Sequence, residues 1–554
     1  MKARLSRQSI GLIHILLLAF VLRLGLAFVP RVIRWDEPDY LWLGISLFSG
    51  GGYTINGVPE LHYTPLLPLL SGPIALLTGN PELGTTIWFV LLGTVTCLPV
   101  YWIARRVYGE RVALLAALLV AILPALSSWV LFWGTMTEPL YILLTVSALC
   151  SLMVALDSDK LWAYALTGGL LGLSFLARPE GIIWLGAYVV LALLVMALDR
   201  RLRRWRALLS IVLIVGSAAL IASPYMAFLH RETGKVMVTG KLSITYDIGQ
   251  AVMEDDPVQY DRVTASIDEE TGEILWWSSG RFERSTVDLV LDDPMAFLER
   301  TWANVSRMRD ALLAPTVLPM LFLPPIFLGW FAQPWNRRRL RYELMLVIGA
   351  MPVLSFLPFH VETRFFSPAL PILIIWTAAG LWEVGAWLVE TAGQWRLGSL
   401  DADGRKRLYR RWQPITVAAL AALISLYLGY GHFRVIRRGT QSLGYAHKAA
   451  GLWLRDNTPA DASIMSRDLA ISLYAERGFV VSPRAEYPVY QDYGRRHGAT
   501  YLVVDEREMH ILRPHLAFLS DDAHPPPELA SVFAASDGNG RTIVYRIKDD
   551  VNGR

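Results

Sequence analysis

Cysteine is nearly absent: the 554 residues include two, Cys97 and Cys150, both inside apolar stretches. Neither has metal-ligand spacing, and the polar regions hold no thiols from which a disulfide framework could form, so both read as small packing residues. Charge is also scarce, at 18% of residues with a net of +4. A nucleic-acid-binding domain would present a basic face, and no soluble stretch does, so nucleic acid is not an expected partner. No G-x-G-x-x-G turn occurs, which argues against a dinucleotide site, and there is no short-period repeat or low-complexity tract. Nor is a cleavable leader expected. The first apolar run, 11–29, follows Lys2, Arg4 and Arg7 but is long for a signal-peptide core and lacks a small-residue cleavage site, so it reads as a retained helix.

Apolar sequence is abundant, with 54% of residues hydrophobic. Segments of spanning or near-spanning length fall near 11–29, 86–104, 112–128, 138–156, 161–177, 181–198, 207–229, 312–332, 342–358, 366–389 and 414–430. The expected fold class is an α-helical polytopic membrane protein of about 11 transmembrane helices. Alternate short connections are rich in basic residues: Arg105, Arg106 and Arg111; Lys160; Arg200, Arg201, Arg203, Arg204 and Arg206; Arg337, Arg338, Arg339 and Arg341; Arg405, Lys406, Arg407, Arg410 and Arg411. The intervening ones hold few, chiefly Arg31, Arg34, Arg178 and Arg364. The positive-inside rule then places the N-terminus in the cytoplasm and the C-terminus outside, in a plasma (inner) membrane.

That orientation puts three larger polar regions on the external face: 30–85, 230–311 with an amphipathic helix beginning near 292–298, and the tail. The tail alternates a helical segment, 446–455, with short apolar runs at 462–465, 478–481 and 500–504, as a small α/β domain with a partly parallel sheet would. The expected domains are therefore 1–430, a membrane domain with its two long loops, and 431–554, an external α/β domain.

Charged residues converge on the basic-poor side. Asp36, Glu37 and Asp39 follow the first apolar span, where an acidic group is costly unless it has a partner or a task. As a pair, Asp36 and Glu37 suit a general base, alone or with a divalent cation such as Mg or Mn; a solvated helix end before Pro38 is the bland alternative. His62 and Tyr63, ahead of Thr64-Pro65-Leu66-Leu67-Pro68, could bind a sugar or orient a phosphate, or serve as interfacial anchors. Glu138, Arg178 and Glu180 are further substrate-binding candidates; the bland alternatives are that Glu138 complements the dipole of the helix it opens and that Arg178 and Glu180 form a local ion pair in a tight turn. His360, Glu362 and Arg364 crowd one short loop, and an arginine there can take phosphate oxygens bidentately. Lys235 and Lys241 are further anion-binding candidates.

In their order and shared sidedness these residues resemble the GT-C glycosyltransferases of the protein O-mannosyltransferase-like group, which includes the aminoarabinose-lipid A transferases. The resemblance rests on Asp36-Glu37, the Pro-rich stretch from Tyr63 to Pro68, Thr137-Glu138-Pro139, Ala177-Arg178-Pro179-Glu180-Gly181, and Glu362-Thr363-Arg364-Phe365 before Pro368, and it covers roughly residues 10–390. It implies a polyprenyl-phosphate sugar as donor, an acceptor (protein, lipid or glycan) presented from outside, and Asp36 as the catalytic acid residue of the family. Where aminoarabinose transferases place a Glu-Lys pair before the Pro-rich stretch, this chain has His62-Tyr63. The expected chemistry is deprotonation of an acceptor hydroxyl by Asp36, attack on the anomeric carbon with inversion, and stabilisation of the departing lipid phosphate by Arg364. A transporter would instead carry its ionisable groups near the membrane midplane on discontinuous helices, and a membrane-anchored binding or scaffold protein would work through its tail.

Overall fold

The computed structural model describes residues 7–548, apart from 135, 199–203, 278–285, 333, 398–401 and 442–443. Of the basic loop residues, Arg200, Arg201 and Arg203 lie outside the described residues.

The chain opens with the apolar helix α1 (Arg7–Ala27) and a loop that folds as two helices flanking a hairpin: α2 (Glu37–Phe48), β1 (Thr54–Ile55), β2 (Val58–Pro59) and α3 (Leu66–Thr78). Asn56 and Gly57 form the hairpin turn with positive φ at both positions, 55° and 76°, the backbone an Asn-Gly pair adopts most readily. α2 and α3 touch backbone to backbone, since a Cβ on Gly44 would lie 2.5 Å from the Pro68 carbonyl oxygen. There follow α4 (Pro81–Val95), α5 (Cys97–Tyr108), α6 (Glu110–Ile122), α7 (Ser128–Trp133), α8 (Glu138–Ser158), α9 (Leu161–Ala177), α10 (Gly181–Leu198) and α11 (Arg204–Thr233). A second long loop carries α12 (Leu242–Met253), α13 (Pro257–Ala265), α14 (Thr286–Asp292) and α15 (Pro294–Leu312), with Asp293 capping the last by accepting from the Ala296 amide. The bundle closes with α16 (Leu323–Phe331), α17 (Arg337–Ala350), α18 (Leu370–Leu397) and α19 (Ala402–Gln441).

Among the described residues six helical stretches are long and apolar enough to cross a membrane: α1, the continuous α4–α5, α8, α11, the stretch ending in α18, and α19. The run expected near 112–128 is not one helix. Leu123 is extended ahead of Pro124, so α6 stops there and α7 resumes only at Ser128. Carbonyls freed by such a break need donors in a medium without water. Arg23 supplies them from α1, donating to Ala121 O and Leu126 O at 3.1 Å each. Gly93 makes room, because a Cβ there would sit 2.3 Å from Arg23 Nε. The run near 342–358 is likewise divided, α17 giving way to a 3-10 segment at Met351-Pro352.

α8 sets the dimension of the bundle. Its 21 residues span about 31 Å at 1.5 Å per residue. Asp157 and Asp159, at its end, bind Arg106 (2.5 Å), Arg341 (3.1 Å) and Arg206 (2.6 Å), so three of the basic connections meet at one rim. Glu138 starts the same helix at the opposite rim.

α19 runs without a break to Gln441, past the expected boundary at 430, and hands over to the tail: α20 (Tyr445–Asn457), β3 (Ser463–Ser466), α21 (Leu469–Ala475), β4 (Gly478–Val481), α22 (Tyr487–Arg496), β5 (Tyr501–Asp505), α23 (Glu506–Ile511), β6 (Leu529–Asp537) and β7 (Gly540–Ile547). The sheet order is β4-β3-β5-β7-β6, with β3 parallel to β4 and β5 and the final hairpin antiparallel. The three expected strands are all present. The β6–β7 hairpin was not expected, although Asp537-Gly538-Asn539-Gly540 is a recognisable turn.

Candidate active site

At the rim opposite the arginines lies a small, partly open recess, and it gathers residues from five separate stretches of chain. Asp36, Tyr40, His62 and Thr64 come from the first loop, Met136 and Thr137 from the start of α8, Arg178 and Glu180 from the turn after α9, Lys241 from the second loop, and Arg364 from the stretch before α18.

Local backbone aims Asp36. Trp35 takes a left-handed conformation (φ 58°), turning the chain sharply after α1. Its ring stacks on Trp133 at 5.2 Å, and Trp133 stacks on Trp129 at the same spacing. Asp36 is the residue before α2, yet its carboxylate makes no capping bond. That leaves it for Arg364, whose Nη1 stands 3.3 Å away.

Both pocket arginines are braced from behind by acids. Arg364 Nε donates to Glu362 at 2.6 Å, and His360 Nε2 lies 3.4 Å from the other Glu362 oxygen. Burial alone would raise the Glu362 carboxyl, but Arg364 and His360 outweigh it and hold it at about 2. Arg178 binds Glu138 at 2.8 Å and Glu180 at 3.4 Å. Burial also opposes ionisation of Glu180, yet Arg178 and Lys241 keep its carboxyl below the usual range. Lys241 Nζ sits 5.7 Å over the Tyr63 ring, and Tyr63 packs edge-on against Tyr40 at 5.1 Å. Fixed cations against fixed carboxylates in a small recess can bind a phosphate and, at a carboxylate, accept the proton of a hydroxyl beside it.

Two expected residues are placed elsewhere. Glu37 does not join Asp36: it is fully buried, and both its oxygens accept from Arg31 at 2.8 Å, with Thr85 on the same carboxylate. Adjacent helix residues point about 100° apart at 3.6 residues per turn, so only one of the pair can face the pocket. The two carboxylates of the expected joint Asp36–Glu37 cation site face different partners, Arg364 and Arg31. Among the described residues no cluster of three or more His, Cys, Asp or Glu side chains has the arrangement of a metal site. Lys235 is exposed and does not line the pocket.

Glu60 was missed. It is fully buried, receives the His62 amide at 2.6 Å and lies 2.9 Å from His62 Nδ1. Its other oxygen accepts from Trp277 Nε1 at 3.0 Å and Trp276 Nε1 at 3.3 Å. Burial would raise the Glu60 carboxyl, but His62 and Trp277 more than offset this and lower it. An acid two residues before His62 in an apolar loop, and a Trp-Trp pair in a polar one, were the available signals.

The architecture, an apolar helix bundle with its charged pocket at one rim and an α/β tail, is the fold of the GT-C glycosyltransferases. Residues 62–228 match the family described as dolichyl-phosphate-mannose-protein mannosyltransferase. ArnT from Cupriavidus metallidurans bound to undecaprenyl phosphate superposes with a TM-score of 0.61 at 14% identity, over 98% of this chain and 99% of that one. The oligosaccharyltransferase of Archaeoglobus fulgidus in complex with Zn and sulfate gives 0.57 at 17% identity, over 96% of this chain and 72% of the other. The arabinofuranosyltransferase AftD from Mycobacteria gives 0.51 at 14% identity, over 99% of this chain and 40% of that one. No curated protein matches the sequence.

Proposed function

We propose that the pocket is the active site of a membrane glycosyltransferase that moves a sugar from a polyprenyl-phosphate donor to an acceptor hydroxyl on the external face of the membrane. The observation that carries this reading is the placement of Asp36 against Arg364 at the rim of an apolar bundle, with Lys241 in the same recess. ArnT, a structural neighbour, is named with undecaprenyl phosphate, a ligand of the donor class inferred here.

The lipid phosphate takes the planar fork of Arg364 and the ammonium of Lys241. As the phosphate engages Arg364, Asp36 is released from its ion pair and takes the proton of the acceptor hydroxyl. The acceptor oxygen bonds to the anomeric carbon as the bond to the phosphate oxygen breaks, so direct displacement inverts that centre. The leaving polyprenyl phosphate carries the negative charge that the two cations neutralise. A positioned base supplies about 10²–10⁴ in rate and an aimed charge about 10²–10³. Glu362, His360, Glu138 and Glu180 hold the arginines in place, and His62 and Tyr40, with Tyr63 packed against Tyr40, form the wall against which the sugar lies.

The experiment is mass spectrometry of glycolipids and glycoproteins from cells with and without the protein, followed by transfer assays with purified protein and the polyprenyl-phosphate sugar so identified. Loss of one glycan class together with transfer in vitro supports the reading. An unchanged glycan inventory and no transfer from any polyprenyl-phosphate sugar overturn it.

A further inference from the structure

In an open α/β sheet, ligands settle beyond the carboxyl ends of the parallel strands, where the strand order reverses. In the tail the chain leaves β3 for β4 on one side and returns to β5 on the other, so that crevice lies beyond β3 and β5. Here the second loop of the membrane domain reaches the residues that follow these parallel strands. Asp261, on α13, is fully buried there beside Arg467 and Arg484, which follow β3 and β4, and Arg513. One oxygen takes Arg467 Nε at 3.0 Å and Arg513 Nη2 at 3.1 Å; the other takes Arg513 Nε at 3.0 Å and Arg484 Nη1 at 3.4 Å. Glu508 stands behind the cage, 3.6 Å from Arg513 and 3.8 Å from Arg467.

The clasp lies a short distance along the chain from the pocket wall. From α13 the backbone turns back on itself, Leu275 N bonding Ser266 O at 2.8 Å, and Ile274 enters the core of the tail. Tyr493 ties both loops to the tail, donating to Glu273 and accepting from Asn56, each at 3.1 Å. Trp276 and Trp277 follow Leu275, and their indole N–H groups meet Glu60. Glu60 in turn holds His62, over which the Trp276 ring lies at 4.4 Å.

We propose that the tail is a positioning element for the pocket: Asp261, locked in the Arg467/Arg484/Arg513 cage, holds Trp276 and Trp277 on Glu60 and so fixes the His62 ring at the pocket wall. The functional part of this rests on the glycosyltransferase reading; the mechanical part does not. Asp261, Trp277 and Glu60 are positioning residues that act through His62. With the Glu60 carboxylate 2.9 Å from Nδ1 and the Trp276 ring over its face, the imidazole is held in one orientation.

The test uses the full-length protein and two variants. Asp261→Asn removes the charge from the cage, and Trp277→Phe keeps the ring but removes the N–H to Glu60. For Asp261→Asn, amide hydrogen exchange is expected to rise at 266–277 and at 54–62. For Trp277→Phe it is expected to rise at 54–62 only. In both, kcat is expected to fall by up to about 10²-fold, the cost of a displacement of about 1 Å near the chemistry, with donor KM little changed. The pH-rate profile of Trp277→Phe is expected to shift, because Glu60 is rearranged beside His62. Lys448→Met, which cuts a separate tail contact to Glu82 at 2.6 Å, is expected to leave exchange at 266–277 unchanged. Exchange at 54–62 that stays at the wild-type level in both variants overturns the proposal. If Asp261→Asn does not fold, Trp277→Phe decides alone. If wild-type protein transfers no sugar, the glycosyltransferase reading fails while the exchange data still decide this one.

Discussion

Arg364 Nη1 lies 3.3 Å from Asp36 Oδ2, although 328 positions separate them in sequence. The pairing makes one residue's task depend on the other's. In the proposed mechanism a phosphate that engages the guanidinium releases the Asp36 carboxylate for the acceptor hydroxyl. Asp36→Asn keeps the size and polarity but cannot accept a proton. Turnover of purified, folded protein is expected to fall by about 10²-fold or more, with the thermal unfolding midpoint close to wild type. Normal transfer by Asp36→Asn would remove it from the chemistry.

Arg364→Lys keeps the charge but loses the fork that reaches Glu362, Asp36 and a phosphate together. Donor affinity is expected to drop about 10- to 100-fold, the range for losing one charge-assisted hydrogen bond. Titration of the purified variant with the polyprenyl-phosphate ligand measures it, and unchanged affinity would exclude Arg364 from the phosphate subsite.

Glu37 should behave unlike its neighbour. Glu37→Ala strands Arg31 without its buried carboxylate, a change that costs about 3–5 kcal/mol. The expected result is a lowered unfolding midpoint and less protein recovered, with turnover per folded molecule reduced less than in Asp36→Asn. A stable, inactive Glu37→Ala would reverse the two roles.

The tail should lose stability in alkali. His447 bridges Asp468 (2.8 Å) and Asp505 (3.0 Å). Burial would lower its pKa, but the two carboxylates outweigh that and raise it from an ordinary 6.5 to about 10. A raised folded-state value means the stabilisation is fully present below about pH 6.5 and lost as pH rises through about 10. Unfolding midpoints measured from pH 6 to 10.5 should fall across this window in the wild type and more weakly in His447→Gln. Equal slopes in both proteins would show that the bridge contributes nothing.

Orientation can be tested directly. Because the arginine-rich connections alternate with basic-poor ones, a reporter active only in the cytoplasm and fused after Arg554 is expected to be silent. Strong cytoplasmic activity would invert the topology and with it the face on which the pocket opens.

Much of this protein was legible in its sequence because the governing forces are local or one-dimensional. Apolar runs cross a membrane by length and composition alone, and arginines sort to one side of it by charge alone. The tail's three parallel strands showed as short apolar runs between turns. Asp36, Arg178 and Arg364 stood out because a charge at the end of an apolar helix is costly unless something compensates for it. What sequence could not supply was direction and partnership. Asp36 and Glu37 are adjacent and chemically alike, and only the pitch of α2 sends one to the pocket and the other to Arg31. Glu60 was unremarked because its meaning lies in Trp276 and Trp277, more than two hundred positions later. Asp261 reads as an ordinary helix residue until the tail folds three arginines around it. Each of these is a long-range pairing between buried polar groups. Its energy depends on distance and on exclusion of water, and both exist only once the chain has closed on itself.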